Sequence, residues 1–156
     1  MTIVEYSGPR AALRGLFELA EDSALALDAY IKTGDVLVAV DGGAIVGHLQ
    51  IVATAQLDVA EIKNMAVDPA RQGRGIGRAL VAAALARARE QARSTLTVAT
   101  AAADIGNLRF YQRLGFRLRS VERDAFTAAT GYPPGLLIDG IELRDRVGLD
   151  LRLDAG

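Results

Sequence analysis

Between Val67 and Leu80 the chain reads Val-Asp-Pro-Ala-Arg-Gln-Gly-Arg-Gly-Ile-Gly-Arg-Ala-Leu, and the glycines at 73, 75 and 77 constrain what can be built around them. Glycine at alternate positions permits left-handed backbone angles and a close approach to a ligand. The pattern predicts a strand ending at Val67, a tight loop, and a helix beginning at Gly75 or Ile76. The loop amides then coincide with the unsatisfied donors and the positive dipole end of that helix, an arrangement that suits phosphate. Arg74 and Arg78 lie four apart on the first turn, where a cation opposes the dipole by about 0.3–1 kcal/mol. A polyanionic ligand reverses that sign. A glycine-rich connection with solvated arginines is the other reading open from this loop alone.

Two phosphate loops fail the spacing. G-x-x-x-x-G-K-[S/T] and G-x-G-x-x-G both require a glycine where Arg78 stands. Gln72-Gly73-Arg74-Gly75-Ile76-Gly77 does fit [Q/R]-x-x-G-x-[G/A], after a Val-Asp-Pro strand end and before a helix of small residues. In this it resembles the coenzyme A pyrophosphate loop of the GNAT superfamily of N-acetyltransferases.

The rest of the chain sets limits on such a reading. At 156 residues and 51% hydrophobic content, one domain spanning residues 1–156 is expected. There is no cysteine and one histidine, His48, so thiolate and histidine-cluster metal sites are not expected. No apolar stretch has the length of a signal peptide or a membrane span, which points to a cytoplasmic protein without a membrane partner. The net charge of −1 argues against nucleic acid, yet charge is unevenly spread. Residues 61–123 hold 12 Lys/Arg and 5 Asp/Glu, whereas residues 1–60 hold 3 and 8 and residues 124–156 hold 3 and 6. The basic block contains the phosphate loop, and the acidic ends could attract a cationic second substrate.

Taken in order, Thr2–Tyr6 reads as a strand and Pro9 opens a helix to about Ala20. Asp22 or Ser23 caps a second helix through Ile31, closed by Gly34. These helices carry Glu18, Glu21, Asp22, Asp28 and Tyr30, as solvated faces or as one wall of an acceptor site. Val36–Val40 and Ala44–Val52 flank Asp41-Gly42-Gly43 as a hairpin, with His48 a strand residue. In the next strand, to Val67, alternation puts Glu61, Lys63, Met65 and Val67 on one side and Ile62, Asn64 and Ala66 on the other. The helix after the loop buries Ile76, Leu80, Val81, Ala84, Leu85 and Ala88 and exposes Arg78, Arg87, Arg89 and Arg93. A strand over Leu96–Thr100, a short helix from about Asn107 to Leu114 stopped by Gly115, and a strand at Phe116–Arg119 follow. Residues 124–140 read as a long loop of the kind that shapes binding sites. Ile141–Leu153 reads as a last, alternating strand that could serve as the edge of a homodimer. Strands outnumber crossover helices, so the expected fold is α/β (α+β): one mixed, mostly antiparallel sheet of about seven strands flanked by about four helices.

A second constellation is Asn107-Leu108-Arg109-Phe110-Tyr111-Gln112-Arg113-Leu114-Gly115-Phe116, in which Asn107 and Tyr111 share one helix face. This N-x-x-x-Y-x-x-x-G-F arrangement resembles the coenzyme-binding helix of GNAT enzymes. Family members more often carry Asn seven residues before the tyrosine, where this chain has Asp104, whose other reading is the helix cap. The resemblance implies acetyl-CoA as co-substrate and direct transfer to an amine, with Tyr111 as general acid for the leaving thiol and Glu61 as base; pairing of Glu61 with Lys63 is the structural alternative. It further implies that the backbone of Met65, Ala66 and Val67 holds the pantetheine arm beside Asn107. The pyrophosphate then rests on Gln72, Gly73, Arg74, Gly75, Ile76, Gly77 and Arg78. Tyr30 and Asp145 are candidates for binding the acceptor, with a structural role, satisfying buried amides, the reading preferred for Asp145. A small-molecule amine is the expected partner; a protein N-acetyltransferase and a non-catalytic acyl-CoA-binding or sensing module are the alternatives.

Overall fold

The computed structural model describes residues 1–153. Seven strands form one sheet: β1 (Thr2–Glu5), β2 (Asp35–Asp41), β3 (Ala44–Ala53), β4 (Val59–Val67), β5 (Thr95–Ala101), β6 (Arg117–Glu122) and, after a two-stranded hairpin of β7 (Leu137–Ile138) and β8 (Ile141–Glu142), β9 (Arg146–Arg152). Their order is β1-β2-β3-β4-β5-β9-β6, with β4 and β5 parallel and every other pair antiparallel. Four α-helices cover the faces: α1 (Arg14–Glu18), α2 (Ala24–Tyr30), α3 (Ile76–Glu90) and α4 (Ile105–Arg113). The expected mixed sheet is therefore present. Among the described residues no helix is long and apolar enough to cross a membrane.

Two apolar layers hold the sheet. On one face α3 inserts Ile76, Leu80, Val81 and Ala84 against Leu37, Leu49, Ile51 and Ile62; full burial of a side chain such as Leu80 contributes about 1.5–3 kcal/mol. On the other, Phe17 and Leu27 from α1 and α2 cover Val36 and Val38. The hairpin between β2 and β3 turns on Gly42 and Gly43, both at positive φ, as a two-residue loop of primed type requires. Ser23 caps α2 by accepting the Ala26 amide at 3.1 Å.

Several local expectations change. The first helix is a 3-10 turn at Arg10–Leu13 running into the five-residue α1. Arg87 is not simply solvated: it bridges Glu5 and Asp35 at 3.1 and 3.0 Å, tying α3 to β1 and β2. The strand expected over Ile141–Leu153 is two, because Leu143–Asp145 leave the ladder between β8 and β9. Nor is it an edge. β9 lies between β5 and β6, so its backbone groups are already paired and the edge pairing of a homodimer through it is unavailable.

The largest correction falls in β4. Gln50 pairs with Asn64 but Ile51 pairs with Ile62, so Lys63 is an extra residue, a β-bulge that shifts the alternation by one. Met65 and Val67 consequently pack on the same face as Ile62, while Asn64 reaches Phe17 and Tyr30 on the other. The two-sided pattern predicted for Glu61–Val67 thus holds only up to the bulge.

Candidate functional site

The bulge stands where β4 and β5 part. They pair only from Val59–Thr95 to Ile62–Val98, after which β4 continues to Val67 and β5 to Ala101 without contact between their ladders. A bulge bends its strand and raises the local twist, which is the physical cause of the split. The gap opens into a cleft of about 920 Å³ that takes in Met65, Ala66 and Val67 on one side and Ala99 and Thr100 on the other. On its open side β4 lacks a strand partner at these positions, so its peptide groups are free to pair with a ligand.

At one end of the cleft lies the glycine loop. Gly73 and Gly75 have φ of +79 and +80, with open space where a Cβ would stand. Gly77 departs from the expectation: it is helical, and a Cβ there would meet the Phe110 ring at 3.3 Å, so it is small for helix packing and not for backbone angle. The first α3 bond runs from the Ala79 amide to the Gly75 carbonyl at 3.0 Å. The amides of Ile76, Gly77 and Arg78 therefore have no acceptor within the helix. Gln72 donates to the Val67 carbonyl at 3.3 Å, pinning the loop to the end of β4. Arg78 lines the cleft; Arg74 is exposed and is not part of its wall. Arg71, which sequence reasoning passed over, is part of the wall and is held by Asp41 at 3.2 Å.

Along the cleft, α4 supplies Asn107 and Tyr111. It begins two residues earlier than expected because Asp104 accepts the Asn107 amide at 3.0 Å as N-cap. Asn107 Nδ2 donates to Thr100 Oγ1 at 3.3 Å across the gap. Tyr111 is 4% exposed, set edge-on to Phe110 and Phe116 with centroids 5.0 and 5.5 Å away. Burial, and secondarily the charge of Asp104, push its pKa well above the ordinary value for a phenol. Its hydroxyl has no hydrogen-bond partner among the described residues and stays protonated. Glu61 lines the same cleft, on the α1–α2 side of β4. It makes no ion pair with Lys63, whose Nζ sits 4.9 Å over the Tyr30 ring.

The far end is a wall from distant parts of the chain. Glu21, Asp22 and Tyr30 come from the α1–α2 segment, and Phe126, Tyr132, Ile138, Leu143 and Arg146 from the long loop and the strands after it. Tyr132, 6% exposed, donates to Glu21 Oε2 at 2.6 Å, and Gly131 lies so close to Ser23 that a Cβ would meet its hydroxyl at 2.8 Å. Asp145 lies outside the cleft lining, its carboxylate accepting the Asp124 amide at 2.9 Å.

An anion cradle at a helix N-terminus, an unpaired strand edge and a protonated, buried phenol along one groove describe an enzyme that holds a phosphorylated carrier and moves a group from it. Residues 10–116 match the acetyltransferase (GNAT) family. The chain is 32% identical over 141 residues to the uncharacterized N-acetyltransferase YvbK of Bacillus subtilis (strain 168), covering 90% of this chain and 89% of that one. Among solved structures it is similar to an IAA acetyltransferase from Bacillus cereus (TM-score 0.86, 31% identity, 97% and 100% coverage). It is also similar to a Bacillus subtilis acetyltransferase in complex with CoA (TM-score 0.88, 30%, 97% and 98%). A GNAT family acetyltransferase from Elizabethkingia anophelis with acetyl-CoA bound gives a TM-score of 0.88 at 28% identity, over 97% of both chains. The chain belongs to the GNAT acetyltransferase family. It is an acyltransferase whose co-substrate is acetyl-CoA.

Proposed function

We propose that this chain, as a single domain, transfers acetyl directly to a primary amine of a small molecule. The split between β4 and β5 carries the reading, because it places the glycine loop, Tyr111 and the Glu21–Tyr132 wall along one cleft. The amides of residues 73–78 and Arg78 hold the pyrophosphate, and the backbone of Met65, Ala66 and Val67 with Asn107 holds the pantetheine arm. Glu61 takes the proton from the acceptor ammonium. The freed amine attacks the thioester carbonyl, forming the C–N bond as the C–S bond breaks. Tyr111 gives its hydroxyl proton to the departing sulfur and is restored by the proton that the new amide nitrogen sheds, a transfer suited to a group that is neutral at working pH.

A compact acceptor is supported by the roof that residues 126–132 make on the α1–α2 turn, since contacts at Ser23–Gly131 and Glu21–Tyr132 narrow the far end against an extended polypeptide. Thiol release from acetyl-CoA, followed with small primary amines and with peptides bearing free α-amines or lysines, tests this. Turnover of the small amines with isolation of the N-acetyl product is expected. Faster turnover of the peptides would replace a small acceptor by a protein.

A further inference from the structure

Between the sheet and the α1–α2 segment, in a layer otherwise filled by Phe17 and Leu27, sits a polar cluster of His48, Gln50, Asn64 and Tyr30. Chemistry alone assigns its protons. The Phe17 carbonyl can only accept, so the Asn64 atom 3.1 Å from it is the amide nitrogen. That nitrogen also lies 2.9 Å from the Tyr30 hydroxyl, so its second proton goes there and the Tyr30 oxygen accepts. Asn64 Oδ1 then faces His48 Nε2 at 2.7 Å and brings no proton, so Nε2 must carry one. His48 is fully buried and held neutral, its pKa pulled down to about 4 by desolvation. Its Nδ1 has no hydrogen-bond partner among the described residues.

One proton remains, that of Tyr30 itself; no hydrogen bond among the described residues takes it, and Tyr30 lines the cleft together with Glu21. Glu21 is the carboxylate nearby, its charge among the causes that lift the Tyr30 pKa after burial. Glu21 Oε2 already accepts from Tyr132 at 2.6 Å and from the Ser23 amide at 3.4 Å, and among the described residues Glu21 has no cationic partner. A carboxylate fixed by neutral donors in a cleft, with no cation of its own, is a receptor for one.

We propose that Glu21 receives the ammonium group of the acceptor, and that His48 and Asn64 are positioning residues that hold Tyr30 as a hydrogen-bond donor to it. The inference rests on the amine-acceptor reading above. It adds a recognition site distinct from Glu61, and it gives a buried strand histidine a role in substrate affinity.

The test uses the full chain, acetyl-CoA, and a panel of benzylamine, 1,4-diaminobutane, spermidine and amino-acid methyl esters, taking the amine with the highest turnover as probe. Glu21→Gln, Tyr30→Phe and Asn64→Leu are each expected to raise the KM for that amine about tenfold, the worth of one hydrogen bond to a charged group, with the KM for acetyl-CoA unchanged. Combining Tyr30→Phe with Asn64→Leu should add nothing further, because both remove the same donor. His48→Leu should share the defect and His48→Gln, which keeps an N–H toward Asn64, should relieve it. Should Asn64→Leu not fold, Asn64→Asp serves, being isosteric without the N–H. Independently, ¹⁵N spectra of the wild-type protein should show the Nε2–H tautomer of His48. An Nδ1–H tautomer, an additive double variant, or an unchanged amine KM in Tyr30→Phe overturns the inference alone. Absence of turnover with every amine overturns it together with the proposed function.

Discussion

Two side chains make opposite demands on protons. Burial lifts the Tyr111 pKa above its usual value near 10, so the acid form persists at neutral pH. Tyr111→Phe should lower kcat about a hundredfold with acetyl-CoA affinity retained, as turnover and calorimetry would show. Its removal leaves T-shaped ring contacts with Phe110 and Phe116 intact, which separates lost chemistry from lost packing. His48 is shifted the other way, from 6.5 to about 4. The unfolded chain therefore binds the proton more readily. Stability is full above about pH 6.5 and is lost as pH falls toward 4, by about 3 kcal/mol at most. Thermal melts between pH 4 and 7 should show this slope, and His48→Gln should flatten it.

At the scale of elements, the glycine loop and the bulge divide the work of making the cleft. Gly75→Ala places a Cβ in open space but at φ +80, so its expected effect is backbone strain of about 1–2 kcal/mol and a rise of about tenfold in the acetyl-CoA Kd, checked by titration calorimetry. Gly77→Val has the converse cause, pressing on Phe110 and through it on Tyr111, and should lower kcat more than affinity. Deleting Lys63 removes the extra residue and restores unbroken alternation, so β4 should continue its pairing with β5 and close the gap. The expected result is a folded protein that no longer binds acetyl-CoA, read by circular dichroism alongside calorimetry. Much of this was legible in the chain: Gly73 to Gly77 announced a loop and helix start, and Asn107 to Gly115 a short helix with Tyr111 on its inner face. The bulge was not, since Ile62-Lys63-Asn64-Met65 also fits a regular strand and only pairing with Gln50 and Ile51 reveals the surplus residue. Nor was the contact between Glu21 and Tyr132, which are 111 residues apart, although the first two helices and the loop at residues 124–140 each stood out as possible walls of a site. Asp145, chosen by alternation, does not line the cleft because the strand it was assigned to breaks there, and it takes up the Asp124 amide instead, in keeping with the structural reading of that residue.

On the scale of the whole molecule, β1 to β4 form one half of the sheet and β5, β9 and β6 the other, and only the short parallel run from Val59–Thr95 to Ile62–Val98 stitches them. Helix α3 lies across the first half and touches β5 as well, acting as a strap. The seam is four rungs long, and on the placement proposed above the co-substrate occupies the stretch where rungs are missing. On that placement acetyl-CoA replaces absent sheet, its amide-bearing arm supplying cross-links that β4 and β5 do not make with each other. Hydrogen exchange should slow on addition of acetyl-CoA at Met65–Val67 and in α4 together, two segments that make no strand pairing with each other, and the Tm should rise with its concentration. A molecule slowed in exchange this way would be fastened shut by the compound it is about to consume, and would loosen along the same seam each time the spent carrier departs.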